Sequence, residues 1–293
     1  MHPLEAFRGF VTESEPLAPL TWFRLGGPAQ YFARPLDLGR LAALLAVSRD
    51  AGLPFRVLGG GSNLLVRDAG VEGVVIHLES PAFSDVRIEG RTVHAGAAVP
   101  LTALISRTAR AGLAGLEMLT GVPGTIGGAL RGNAGSRSGS IGQFVRSVTV
   151  LDGRGEIQVR ERDDLAFGYR DSNLDEPVIL SAEFEFEPED PEAVVRRMRR
   201  IWIVKKENQP YGHQSSGSIF RDPTPEVSAR VVIEQAGLKG TKVGGAEVSD
   251  RHANFIVAQP GATAADVLGL IDLIRQQVRL QFGYELELQI QVW

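Results

Sequence analysis

Behind Asp37, the residues Leu38, Leu41, Leu44, Leu45 and Val47 recur at helical spacing. With Asp37 as a natural N-cap, the pattern predicts a helix over 38–49, ended by Gly52 and Pro54. Three short apolar runs at 55–58, 63–66 and 74–78 have strand character, so this region reads as β-α-β-β. Residues 86–88 and 92–95 flank Glu89-Gly90 as a hairpin, and 101–111 returns to helical spacing. The stretch 112–142 is dense in glycine with little periodicity, a length that marks a functional loop rather than a routine connection. Further strands are predicted at 145–151, 156–159 and 178–186, and helices at 192–206, 227–237 and 264–282, the last capped by Thr263. Residues 286–292 alternate as a terminal strand. Before residue 37 the pattern is irregular. The whole predicts a mixed αβ (α+β) chain with a soft boundary at 188–191: a region 1–190, with lobes at about 1–80 and 81–190, and a smaller αβ domain at 191–293.

Composition narrows the class. The 293 residues are 43% hydrophobic and 23% charged, with a net charge of −4. That balance argues against a nucleic-acid or membrane-surface partner. No apolar run reaches transmembrane length and the first residues show no basic region followed by an apolar core, so a cytoplasmic protein is expected. The chain has no cysteine, which removes disulfides, thiolate metal sites and a cysteine nucleophile. Histidines 2, 77, 94, 213 and 252 show no metal-binding spacing, so no metal is expected. His252 is read either as a local structural residue or as a neutral donor to substrate. The basic face of 192–206 (Arg196, Arg197, Arg199, Arg200, Lys205, Lys206) reads as solvated.

Four segments concentrate polar groups on special backbone. Residues 57–65 read Val-Leu-Gly-Gly-Gly-Ser-Asn-Leu-Leu. Three glycines can turn successive N–H groups towards a phosphate, and equally well make a hairpin turn. Leu64 stands where a Rossmann fingerprint needs its last glycine, and no Gly-Lys-Ser/Thr follows. The second segment runs Gly121-Val122-Pro123-Gly124-Thr125-Ile126-Gly127-Gly128, then Gly132-Asn133-Ala134-Gly135, small residues against which a flat ligand can pack. The third is Phe167-Gly168-Tyr169-Arg170-Asp171-Ser172. Its guanidinium matches a carboxylate or enolate, or makes a surface ion pair. The fourth, 209–223, holds Gly217-Ser218-Ile219-Phe220. No Gly-x-Ser-x-Gly elbow surrounds Ser218, which weakens a hydrolase reading. A serine can instead give its proton to a strongly basic carbanion, beside a cation such as Arg170.

In their joint order these segments, with Thr21-Trp22-Phe23-Arg24-Leu25-Gly26-Gly27, Gly115-Leu116-Glu117, Ala236-Gly237-Leu238-Lys239-Gly240 and Gly244-Gly245-Ala246, resemble the bacterial UDP-N-acetylenolpyruvoylglucosamine reductases of peptidoglycan synthesis. The resemblance spans nearly the whole chain, which, with no obvious insertion after the Arg170 segment, looks like the family's compact subgroup. It implies a two-lobed FAD-binding domain of the vanillyl-alcohol oxidase type followed by a substrate-binding domain. Non-covalent FAD would be held by Leu58, Gly59, Gly60, Gly61, Ser62, Asn63 and Leu64 together with Gly121, Val122, Pro123, Gly124, Thr125, Gly128 and Asn133. The implied reaction is NADPH-dependent reduction of an enolpyruvyl ether, with hydride passing from flavin to the methylene carbon of a UDP-sugar.

By the same resemblance Arg170 stabilises the enolate and Ser218 quenches it with a proton. Tyr169, Lys206, Asp222, Lys239, His252 and Glu287 are the implied substrate contacts. There are two departures. The family ends Leu-Glu-x-Glu-Val/Ile, whereas this chain reads Leu286-Glu287-Leu288-Gln289-Ile290, placing an uncharged Gln289 at a catalytic position. Glu287 would share the strand face but lie roughly 6–7 Å away. Asp222 stands where the family commonly has asparagine. No obligate protein partner is implied. Competing readings are another FAD oxidoreductase of the same fold, a weakened flavin- or nucleotide-sugar-binding protein, and a serine hydrolase.

Overall fold

In the computed structural model, which describes residues 3–136 and 138–293, the predicted first helix is Leu38–Asp50. The Asp37 carboxylate accepts the Arg40 amide at 2.8 Å, satisfying one of the open donors of the first turn. Leu41, Leu44 and Leu45 are buried with Val74 and Ile76 in one apolar cluster. The helix precedes a four-stranded sheet member, Phe55–Leu58, which pairs in parallel with Val71–His77. The sheet order is Val11–Pro16, Pro28–Ala33, Val71–His77, Phe55–Leu58. Its first two strands lie in the start that the pattern left irregular. Val11–Pro16 is a sheet edge with a mostly exposed, charged face, so alternation carries little signal there.

The chain forms two compact units. The first comprises Met1–Glu13, Gln30–Gly60 and Glu72–Val204, and the second Ser14–Ala29, Gly61–Val71 and Lys205–Trp293. The units are thus cut differently from a division after residue 190. Phe23, Leu25 and Leu65 join the C-terminal core, while Val194 near the start of helix Pro191–Asn208 is buried with the first unit.

Besides the first sheet, the first unit holds a five-stranded antiparallel sheet ordered Ile157–Glu161, Val145–Leu151, Val178–Glu185, Thr92–Gly96, Val86–Glu89. Helix Leu101–Arg110 buries Leu101, Leu104 and Ile105 in the same core as Val93, Val148 and Phe184. The glycine-rich stretch 112–142 is more structured than expected, containing a helix Ile126–Arg131 and a small hairpin, Gly135–Ser136 with Gly139–Ser140. Ile126 and Leu130 bury completely, which is why six residues suffice.

In the second unit the expected strand 63–66 shrinks to Leu64–Leu65, and the expected strand 286–292 to Gln291–Val292. These two pair in parallel with each other. Leu64–Leu65 therefore leaves the β-α-β-β arrangement read from the pattern. A three-stranded antiparallel sheet, Lys242–Val243, Ala246–Val248 and Ile256–Ala258, went unpredicted because its strands are only two or three residues long. Helix Ala264–Phe282 carries the Thr263/Asp266 capping box and a distant cap as well. Both carboxylate oxygens of Asp68 accept its first amides, at 2.9 Å from Ala264 and 3.0 Å from Ala265.

Candidate active site

In the first unit the two glycine loops touch. A Cβ added to Gly59 would stand 2.7 Å from Thr125 Oγ1, and one on Gly60 would stand 3.0 Å from Gly124 Cα. Neither position accepts a side chain without displacing its neighbour. The wall they form belongs to a cavity of about 340 Å³. Apolar side chains of Phe55, Val57, Leu58, Leu78 and Ile179 line it, alongside Arg56, His77, Arg131, Asp175 and Glu176. His77 Nδ1 lies 2.9 Å from the Leu58 carbonyl. Arg131 donates to the carbonyls of Leu174 and Glu176, and Arg160 pairs with the Glu176 carboxylate. A mostly apolar slot with bare backbone at one wall and charges at another fits an adenine nucleotide diphosphate. Of the expected cofactor residues, Leu58, Gly59, Thr125 and Gly128 line the cavity, and Gly60 and Gly124, next to Gly59 and Thr125 in the chain, approach each other closely. Gly121, Val122 and Pro123 precede this wall on the same loop.

That loop has an anchor which the pattern missed. The Glu117 carboxylate accepts the Gly115 amide at 2.6 Å and Arg197 Nε at 3.0 Å, while Arg197 also grips Glu189 in a bidentate pair at 2.6 and 2.7 Å. The expected solvated face of 192–206 is thus wrong for Arg197. The two carboxylates raise its pKa further above the ordinary arginine range, through hydrogen bonds to Glu189 and then Glu117. Only the fold brings residues 117, 189 and 197 together.

Tyr169 and Arg170 form the two-residue turn between the paired strands Phe167–Gly168 and Asp171–Ser172. Arg170 has φ +56°, where such turns usually take glycine or asparagine. For a residue with a Cβ this costs about 1–2 kcal/mol, held in place by its surroundings. Arg170 Nη1 donates to the Gly135 carbonyl at 2.8 Å. Asn133, expected to touch the cofactor, also supports this turn. It is 5% exposed, its Nδ2 donates to the Gly168 carbonyl at 2.6 Å, and its Oδ1 accepts the Gly142 amide at 3.1 Å. Tyr169 itself is exposed, its ring 5.8 Å from the Arg170 guanidinium carbon.

The second unit brings Gly61, Ser62, Asn63, Ser218 and Gln289 into one neighbourhood. Gly61 has φ +60°, and a Cβ there would fall 2.0 Å from the Leu20 carbonyl oxygen. Its own carbonyl accepts the Trp22 amide at 3.0 Å. Asn63 Nδ2 donates to the Gln289 carbonyl at 3.0 Å, and the Asn63 carbonyl accepts the Gln291 amide at 2.9 Å. Gln289 in turn donates its amide to the Ile219 carbonyl at 2.8 Å, one residue beyond Ser218. Ser216 Oγ donates to the Leu64 carbonyl at 3.0 Å, tying the serine segment to the strand after the glycines.

The remaining expected contacts separate into smaller groups. Lys239 pairs with Glu234 at 3.0 Å, and Arg230 approaches the same carboxylate at 3.9 Å. Nearby His252 is half-buried, packs edge-on against Phe255 at 4.6 Å, and leaves its Nδ1 without a hydrogen-bond partner among the described residues. Burial first, then the Arg230 charge, lowers its pKa to about 4, so it is neutral at neutral pH. Asp222 Oδ1 accepts the Ala229 amide at 2.8 Å, capping helix Ala229–Gln235. Lys206 lies exposed in the last turn of Pro191–Asn208, favourable for the helix dipole. Glu287 is exposed, and its carbonyl accepts the Arg221 amide at 2.9 Å. The described residues contain no metal-binding cluster and no helix long and apolar enough to cross a membrane.

The mixed αβ architecture with its glycine-walled cavity is that of a flavin-binding oxidoreductase class, shown by the match of residues 29–160 to the FAD binding domain family. Residues 209–293 match the family described as UDP-N-acetylenolpyruvoylglucosamine reductase, C-terminal domain. The reductase of that name from Heliobacterium modesticaldum is 43% identical over 98% of this chain and 91% of its own length. The Bradyrhizobium protein is 42% identical over 98% and 93%. The crystal structure of the Thermus caldophilus reductase is 36% identical, with a TM-score of 0.84 over 97% of this chain and 100% of that one. The chain belongs to the UDP-N-acetylenolpyruvoylglucosamine reductase family, flavin-dependent enzymes that use FAD and NADPH. The expected mixed αβ, FAD-binding architecture is the one found.

Proposed function

We propose that this chain reduces the enolpyruvyl ether of UDP-N-acetylglucosamine to the lactyl ether, giving UDP-N-acetylmuramate for peptidoglycan synthesis in the cytoplasm. One observation carries the reading within the family. Its two reacting side chains, Arg170 and Ser218, both stand on short segments that backbone pairing and buried polar groups hold in place. FAD, when bound along the glycine wall, supplies hydride taken from NADPH.

The protein's own residues do the rest. Hydride arriving at the methylene carbon pushes the double-bond electron pair onto the adjacent carbon and its carboxylate. The fixed guanidinium of Arg170 stabilises that negative charge, which costs no reorganisation at the moment it forms. Ser218 gives the proton of Oγ to the carbon, completing the new C–H bond, and recovers a proton from solvent. Gln289 cannot carry a charge or relay a proton. Its carboxamide donates a hydrogen bond to the substrate carboxylate. Lys206 and Lys239 offer positive charge to the diphosphate, and His252, neutral, offers a hydrogen bond. Asp222 is a further substrate contact, with one carboxylate oxygen accepting the Ala229 amide. Tyr169 and Glu287, both exposed, flank Arg170 and Gln289 in sequence as further contacts.

The test is anaerobic stopped-flow spectroscopy of the FAD-loaded protein. NADPH should bleach the flavin, and the enolpyruvyl UDP-sugar should restore its colour with stoichiometric UDP-N-acetylmuramate. Reduced flavin that the substrate leaves unoxidised would overturn the reading. A weakened flavin- and UDP-sugar-binding protein is the second reading, favoured by Gln289. It predicts flavin bleaching and substrate binding without product.

A further inference from the structure

Ser218 stands at the head of a segment that no regular ladder holds. Phe220 faces Leu288 as an isolated antiparallel bridge, flanked by hydrogen bonds from Gln289 to the Ile219 carbonyl and from Arg221 to the Glu287 carbonyl. This geometry turns the N–H and C=O of Phe220 to the opposite edge. A third strand would normally take them there. The chain instead turns at residues 252–255, and a single side chain fills the gap. Asn254 Oδ1 accepts the Phe220 amide at 2.9 Å, and its Nδ2 donates to the Phe220 carbonyl at 2.8 Å. On the side towards Ser218, the backbone continues the pairing. The Asn254 carbonyl accepts the Ile219 amide at 2.9 Å, and Phe255 bridges Ser218. Asn254 is 5% exposed, so water cannot replace it.

We propose that Asn254 is a positioning residue for Ser218, a side-chain rung that completes the ladder and fixes where the Ser218 hydroxyl stands. The inference rests on the reading of Ser218 as proton donor. Residues 253, 255 and 256 are buried apolar side chains, and Asn254 itself is buried with them.

Asn254→Ser keeps one polar atom but cannot reach both groups of Phe220. Asn254→Asp keeps the size, retains the acceptor and loses the donor. Both are compared with wild type and Ser218→Ala as FAD-loaded proteins. In the variants, reoxidation of reduced flavin by the enolpyruvyl UDP-sugar should slow by about tenfold to a hundredfold, the penalty of a reacting group displaced by about an ångström. Flavin reduction by NADPH should stay within about threefold of wild type, the scale of an effect outside the reacting geometry. The double variant Ser218→Ala/Asn254→Ser should be no slower than Ser218→Ala, because both changes act on one group. Amide exchange at Phe220, measured without substrate, should quicken. Should Asn254→Asp fail to fold, Asn254→Ser and the exchange measurement decide. Equal slowing of both half-reactions, additive loss in the double variant, or wild-type reoxidation in Asn254→Ser would overturn the inference while leaving Ser218 as donor. Wild-type reoxidation in Ser218→Ala itself would refute the donor reading and this inference with it.

Discussion

Two buried asparagines, one in each unit, do the same job in different settings. Asn133 ties the Gly168 carbonyl to the Gly142 amide and so holds the Arg170 turn; Asn254 takes both polar groups of Phe220 and so holds Ser218. Both are 5% exposed, and both satisfy a backbone donor and a backbone acceptor with one carboxamide. Around Asn133 the chain is glycine-rich and fixed by close backbone approach, so φ +39° at Asn133 and +56° at Arg170 persist because neighbours leave no alternative. Around Asn254 the residues are apolar, and hydrogen bonding alone fixes register. Substitution at Gly60 adds atoms where none fit. At Asn254 it removes bonds that nothing replaces.

Arg170→Lys tests the first unit hardest. It keeps the charge but loses the planar fork and the bond to the Gly135 carbonyl. Reoxidation by substrate should fall by about 10²–10³, the scale of losing one transition-state electrostatic contact, while FAD affinity is unchanged. A loss of FAD in parallel would mean that Arg170 belongs to the cradle instead. Gly60→Ala, meeting Gly124 Cα at 3.0 Å, should weaken FAD by about tenfold in a flavin-fluorescence titration, equivalent to about 1.4 kcal/mol. An unchanged affinity would show that the wall yields.

His252 sharpens the other side. Its pKa is about 4 folded and about 6.5 unfolded, so between those values the unfolded chain binds more protons and stability falls as the pH drops. Arg230 and Lys239 disfavour its charged form, while Glu234 favours it. Denaturant titrations from pH 7 to pH 4 should show His252→Gln losing less stability than wild type, by on the order of 1–3 kcal/mol. Parallel curves would assign acid sensitivity elsewhere. The smallest effect is expected at Gln289→Glu. The side chain is partly exposed and its backbone already fixed by Ile219 and Asn63, so steady-state turnover should rise modestly, within about tenfold, on gaining a group able to relay protons. A large loss would refute a hydrogen-bonding role for Gln289.

Much of the first unit was legible from the pattern. Leu38–Asp50, Leu101–Arg110 and the five-stranded sheet follow from periodicities that burial reinforces. The glycines at 59–61 and 124 were legible as close approaches because a missing Cβ is itself a signal. The second unit was less so. Strands of two or three residues such as Leu64–Leu65 and Lys242–Val243 carry no period, and their partners lie far away in sequence. Asn254, between Ala253 and Phe255, gave one hint: a lone polar residue in an apolar run must find partners inside. Arg197 gave none, since a clamp looks like a solvated arginine until Glu117 and Glu189 converge on it.

The sequence by itself determined the family and the flavin chemistry, and singled out Arg170, Ser218 and Gln289 as candidate site residues, because motif order and residue type are local properties of the chain. Only the tertiary structure decided what holds them. Residues 63–67 pair with 289–293, Asp68 caps a helix nearly two hundred residues away, and two buried asparagine side chains bond backbone more than thirty residues away. Such bonds join groups far apart in the chain, and their partners are fixed only when the cores bury and leave each polar group one satisfactory neighbour.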